Sequence, residues 1–147
     1  MSEHNETIPI RKLRTGITGF DQIAQGGLPR GRTTLVSGTA GSGKTVLASQ
    51  FLAEGIRKHD EPGIFVTFEE SPKDIRRNIH SLGWDVDAWQ RDGKWSFVDA
   101  SPHMEQETVV IGSYDLGGLL ARIEHAVRQI DAKRVALDSL GAVFTRF

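Results

Sequence analysis

Apolar and polar positions along this chain alternate between two periods. Arg32–Ser37 (RTTLVS), Gly63–Phe68 (GIFVTF), Trp95–Asp99 (WSFVD) and Arg134–Asp138 (RVALD) are short β-branched or aromatic runs, and each predicts a strand. Between them the spacing turns helical. Thr45–His59 carries Leu47, Phe51, Leu52 and Ile56 along one stripe. Ser71-Pro72-Lys73-Asp74 opens a second helix, with Ser as N-cap, Pro at the first helical position and an acid in the first turn. Its apolar positions are Ile75, Ile79 and Leu82, and Gly83 stops it. After a short Trp-bearing segment, Asp85–Asp92, a long amphipathic helix is predicted over Asp115–Ile130. Leu116, Leu119, Leu120, Ile123, Val127 and Ile130 share its apolar face. Upstream of the first strand, residues 15–31 are punctuated by glycine. One short helix is expected around Phe20–Gln25, closed by Gly26-Gly27 and a turn at Pro29. Residues 1–14 are polar and mixed in charge and read as a flexible arm, on which Ile8, Ile10 and Leu13 offer apolar contacts to a neighbour; residues 15–147 are expected to be the N-terminal portion of a domain.

Strands alternating with helices require crossover connections. The expected fold class is therefore α/β, a mostly parallel sheet covered on both faces. The strands are continuous apolar runs, as strands buried on two faces must be. Ligands of such sheets bind at the carboxyl ends of the strands.

Composition narrows the function. The chain has 147 residues, with 18 Lys or Arg against 19 Asp or Glu, a net charge of -1 that argues against a strongly basic nucleic-acid binder. The absence of cysteine excludes disulfides, thiolate metal sites and a cysteine nucleophile. No apolar run approaches the ~18 residues that span a bilayer, and the polar start has no signal-like apolar core, so a cytoplasmic protein is expected. Glycine, at 16 residues, is the unusual count, and its placement matters more than its number.

Gly38-Thr-Ala-Gly-Ser-Gly43-Lys44-Thr45 fits the phosphate-loop pattern G-x-x-x-x-G-K-[ST] at every fixed position, after a predicted strand and at the start of a helix. Gly38, Gly41 and Gly43 let the backbone curl so that successive N–H groups face phosphate oxygens. The helix N-terminus adds partial positive charge. Lys44 offers a compact cation to the β- and γ-phosphates, and Thr45 a hydroxyl to Mg²⁺. The competing reading is a glycine-rich turn with a solvated lysine, which the strand-and-helix context disfavours.

Glu69 and Glu70 end the second strand, at the carboxyl edge where a ligand should sit. A carboxylate there can polarise a water for attack on a γ-phosphate. Adjacent residues of an extended strand face opposite ways, so one of the two addresses the water and the other tunes it. A solvated strand end ahead of a helix N-terminus would carry acids equally well. Asp138 follows Val135-Ala-Leu137, an apolar strand ending in a carboxylate that can hold the Mg²⁺ shell (Walker B); Ser139 can hydrogen-bond a water of that shell. His4, His59, His80, His103 and His125 are dispersed and do not build a metal site. Arg11-Lys12-Arg14 and Arg76-Arg77 read as solvated faces, and Trp84, Trp89 and Trp95 as packing residues, with adenine stacking the alternative.

The run Gly19–Gly31 (GFDQIAQGGLPRG), the phosphate loop, Phe65–Glu70 (FVTFEE) and Asp138-Ser139 together resemble the RecA/RadA/KaiC group of P-loop ATPases. Leu35–Thr39, Asp60–Gly63, Phe65–Glu70, Gly83–Asp85 and Val98–Pro102 look like the N-terminal ATPase half of its KaiC-like clock members, from about Leu13 onward. The resemblance implies a three-layer RecA-like fold, ATP and Mg²⁺ as cofactors, slow ATP hydrolysis, and a hexameric ring with nucleotide between protomers. It also implies a second half with Ser/Thr autokinase and autophosphatase activity, and clock partner proteins. The net charge and the lack of a long apolar run argue against a nucleic-acid or membrane partner. Family roles carry over to Gly41, Ser42, Gly43, Lys44, Thr45 and Val46 at the phosphates, Thr45 and Asp138 at the metal, Glu69 and Glu70 as the catalytic pair, and Ser81 near the nucleotide.

The resembled family continues beyond Phe147. Its strand after the Walker-B strand inserts between that strand and the phosphate-loop strand, so the C-terminal part of the fold is expected to be missing here and the isolated chain to be poorly stable. Three functional classes follow. They are an ATPase, an ATP-gated assembly module without hydrolysis, and a RecA/RadA-type DNA-dependent ATPase. The net charge and the missing downstream loops disfavour the last.

Overall fold

A computed structural model describes residues 8–101 and 116–141 of the chain. Its centre is strand β3 (Gly63–Thr67), buried at every position. β3 pairs in parallel with β4 (Trp95–Asp99) on one side and β5 (Arg134–Asp138) on the other, giving the order β4-β3-β5. In register, Thr67 lies level with Asp99 and Asp138. The carboxyl ends of all three strands therefore reach the same edge.

Alternation along β3 builds a core on each face. Phe65 joins Leu52, Ile75, Ile79, Val86, Trp95 and Ala136 beneath α2 (Lys44–His59), α3 (Pro72–Ser81) and α4 (Val86–Arg91). Ile64, Val66 and Phe68 pack with Val98, Ala100, Leu119 and Ala126 beneath α5 (Leu116–Ile130). This is the expected three-layer, mostly parallel α/β arrangement. The helix starts are as the residues dictate: Ser71 accepts from the Asp74 N–H with Pro72 at the first position, and Asp85 caps α4 through the Ala88 N–H.

Two expectations about these elements need correction. Arg32–Ser37 is not a strand. The segment is exposed throughout, Leu35 at 75% and Val36 at 48%, and no described residue pairs with it. A parallel strand forms only where a neighbour takes its backbone groups, and none of the described strands lies beside this segment. The far side of β5 shows the same thing, with Val135 and Leu137 exposed. On the predicted helices, Leu82, Leu116 and Leu120 share the apolar spacing of the buried residues yet are exposed. Asp115 and Pro102 lie outside the described residues, as do His4 and His103.

A feature without a periodic signature is the short antiparallel ribbon of β1 (Lys12–Leu13) and β2 (Leu28–Pro29), flanking α1 (Phe20–Ile23). Two side chains fasten it. Asp21 accepts from the Thr15 hydroxyl at 2.6 Å and from the Thr15 and Gly16 amides. Arg134, fully buried, donates to the carbonyls of Arg14, Thr15 and Phe51 and pairs with Glu61. It also lies 4.8 Å from the Phe51 ring centroid. Residues 12–14, assigned to the arm by their polarity, are thus held by β2 and by Arg134 of β5; residues 1–7 lie outside the described residues.

Candidate functional site

The phosphate-loop residues curl at the N-terminus of α2. Gly41 and Gly43 adopt φ of +77° and +88°, the left-handed region that only glycine enters without cost. Gly38 is different. Its φ is not in the left-handed region, and a Cβ there would lie 2.6 Å from the Ser42 hydroxyl, which would have to turn away. Gly43 takes the N-cap position and no side chain caps the helix, so the first amides of α2 have no intrahelical acceptor. Such amides suit an anion. Lys44 folds back over the loop, its ammonium donating to the carbonyls of Gly38 at 2.7 Å and Thr39 at 2.9 Å. Phosphate oxygens compete for those same protons. Val46, half-exposed, lines the cleft of about 510 Å³ that the loop opens onto, together with Val36, Leu47 and Gln50.

Thr45 and Asp138 meet although 93 positions separate them: the Thr45 hydroxyl donates to Asp138 Oδ2 at 2.6 Å. Both are half-buried. Residues 134, 136 and 138 of β5 share the face that α2 covers: Arg134 bonds the Phe51 carbonyl, Ala136 lies in that core, and Asp138 reaches the first turn of the helix. A hydroxyl and a carboxylate are hard oxygen donors, the pair that a Mg²⁺ ion beside a phosphate chain uses. The residues present fit that cation. Ser139, half-buried, follows Asp138 at the same edge.

Glu69 and Glu70 stand exposed just past β3. The amide of Phe68 donates to the Asp138 carbonyl at 2.9 Å, so the glutamate pair leaves the sheet beside Asp138. Ser81 is not brought to this edge. α3 starts at the carboxyl end of β3 and runs away from it, so Ser81 sits about 15 Å along the helix from its N-cap. There it is exposed and donates to the Asn78 carbonyl. The tryptophans lie away from the loop: Trp95 is buried among Phe65, Phe97 and Trp89, which assigns it to packing. Arg76 pairs with Asp87, and His80 bonds the same carboxylate.

Thr67 carries no sequence signal, being one β-branched residue in an apolar run. In the fold it is a buried hydroxyl on the last rung of β3, donating to the Glu70 carbonyl at 2.6 Å.

The family model described as ATPase: KaiC matches residues 13–146. The circadian clock protein KaiC3 of Synechocystis sp. is 59% identical over 140 residues, 95% of this chain and 28% of that protein. The circadian clock oscillator protein KaiC of Picosynechococcus sp. is 54% identical over 138 residues, 94% of this chain and 27% of that protein. KaiC of Nostoc sp. is 53% identical over the same length, 94% of this chain and 26% of that protein. The chain thus spans little more than a quarter of the curated relatives it matches.

Proposed function

The chain belongs to the KaiC family of ATPases, and from that premise we propose that its loop binds ATP with Mg²⁺ and that the adjoining carboxylates hydrolyse it. The observation that carries the reading is the Thr45–Asp138 contact. A hydroxyl from the phosphate loop and a carboxylate from another strand end converge on one point beside the loop.

In this reading, the α2 amides and Lys44 hold the phosphate oxygens, with Lys44 exchanging the Gly38 and Thr39 carbonyls for them. Thr45 and Asp138 hold Mg²⁺, which supplies charge neutralisation on the β- and γ-phosphates. One of Glu69 and Glu70 orients a water and accepts its proton as the water oxygen attacks the γ-phosphorus and ADP departs. Which of the two does so is decided by testing each alone. Phosphate release that disappears in Lys44→Ala and in the Glu69→Gln/Glu70→Gln double variant is the expected result. Release at the same rate in either variant would reject the reading.

The same reading extends to assembly. The family resemblance gives Ser81 a place near a nucleotide, and its position at the far end of α3 from the carboxyl edge of β3 fits a nucleotide shared between protomers, the homo-oligomeric ring being the proposed form. Clock partner proteins, Ser/Thr autokinase chemistry in the whole protein, and a cytoplasmic location are further parts of this proposal. Among the described residues no helix is long and apolar enough to cross a membrane.

A further inference from the structure

Thr67 is 1% exposed, and burying a hydroxyl in an apolar strand is costly unless it is bonded. Its bond goes to the main chain three residues on, at Glu70. Its own carbonyl accepts from the Ala100 amide at 2.8 Å, and the next amide, Phe68, donates to the Asp138 carbonyl at 2.9 Å. The Phe68 side chain is buried beneath α5. One residue past the glutamates, Ser71 accepts from the Asp74 amide to start α3, whose Ile75 and Ile79 lie in the core. The turn carrying Glu69 and Glu70 is therefore anchored before and after the two acids. Between those anchors, the Thr67 hydroxyl ties the Glu70 main chain to the end of the strand.

We propose that Thr67 is a positioning residue for hydrolysis. Its hydroxyl folds the Glu69–Glu70 turn over the end of β3 and sets both carboxylates relative to Asp138 and the loop. The Thr67 hydroxyl is bonded to the Glu70 carbonyl and not to the loop, so the effect is expected on turnover rather than on nucleotide affinity. The inference rests on the ATPase reading above and adds to it a residue that binds neither phosphate nor metal.

The test compares the intact protein with Thr67→Val, which keeps the shape and removes the hydroxyl, and Thr67→Ser, which keeps the hydroxyl. Three quantities are read: the ATP dissociation constant, kcat for phosphate release, and amide hydrogen exchange over residues 68–71. Thr67→Val is expected to leave the dissociation constant unchanged and lower kcat roughly 10- to 100-fold, the scale of an ångström-level misplacement. It should also accelerate exchange in the turn. Thr67→Ser should restore both kcat and protection. Unchanged kcat in Thr67→Val, or affinity and kcat falling together without rescue by serine, overturns the proposal. Should the wild-type protein release no phosphate, the ATPase reading fails and the role in hydrolysis with it, and the exchange measurement still decides whether the Thr67 hydroxyl holds the turn. Turn protection equal in wild type and Thr67→Val overturns it, and protection lost in valine and regained in serine supports it.

Discussion

Asp138 takes part in two contacts at the carboxyl edge of the sheet. Its side chain accepts from Thr45, and its carbonyl accepts from Phe68 at the strand end that releases the glutamates. Replacing Asp138 by Asn leaves an amide oxygen that still accepts from Thr45, so the fold should persist while the charge is lost. The Mg²⁺ concentration for half-maximal nucleotide binding is expected to rise about 10- to 100-fold, the range for losing a metal-shell partner. A magnesium titration at fixed nucleotide checks this, and an unchanged midpoint would remove Asp138 from the metal site. At this scale the phosphate loop was the most legible part of the chain, since its requirements are local: glycines for curvature, a lysine, a hydroxyl and a helix start. Asp138 was legible through the apolar strand it ends. Thr67 was not, because its partner comes into reach only once the turn has formed, and threonine is ordinary in a strand. Gly38 fits the sequence pattern, but its φ lies outside the left-handed region that Gly41 and Gly43 occupy.

Elements were legible where a run of residues meets its neighbours within the described fold. β3, β4 and β5 and helices α2, α3 and α5 fall within a residue or two of their predicted bounds. Arg32–Ser37 has the same β-branched character and forms no strand, because propensity cannot replace a pairing partner. The β1–β2 ribbon is the converse, two residues a side and set by tertiary contacts. Gly27 is its pivot, with φ of +120° and a hypothetical Cβ 2.0 Å from the Leu13 carbonyl oxygen. Both the conformation and the backbone clash oppose any side chain. Gly27→Ala is therefore expected to cost on the order of 1–3 kcal/mol, seen as a lower denaturation midpoint; an unchanged midpoint would show that the ribbon is not held as described.

Asp21 gives the ribbon a pH dependence. Burial raises its pKa, but the Thr15 hydroxyl, the Thr15 and Gly16 amides and the Arg134 charge together outweigh burial and hold it below the ordinary aspartate range. A folded-state pKa below the unfolded value means stability that is present above about pH 4 and is lost as pH falls through the folded value. Wild type should exceed Asp21→Asn in denaturant midpoint at pH 7, and the gap should shrink by pH 3. A gap that widens in acid would contradict the assignment.

For the whole molecule, strand order follows from where the crossovers land. β3, the first of the paired strands in sequence, takes the middle position, and the later strands β4 and β5 add on either side. Alternation of apolar residues with helices predicts the parallel class but not this order, which depends on which face each helix covers. The result brings three strand ends, the start of α2 and the glutamate turn to one edge, while the buried Arg134 ties the opposite end of β5 to residues 14 and 15. The loop, Thr45, Asp138 and the two glutamates thus gather at one end of one sheet. The claim tested most directly is that this edge is an assembled Mg²⁺–ATP site. A fluorescent ATP-analogue titration with and without Mg²⁺, on wild type and Lys44→Ala, does so. Saturable Mg²⁺-dependent binding is predicted, weakened roughly 10- to 150-fold in Lys44→Ala by the loss of a charged hydrogen-bond donor worth about 1.5–3 kcal/mol. Binding that is absent in folded wild-type protein, or indifferent to both Mg²⁺ and Lys44, would contradict the account.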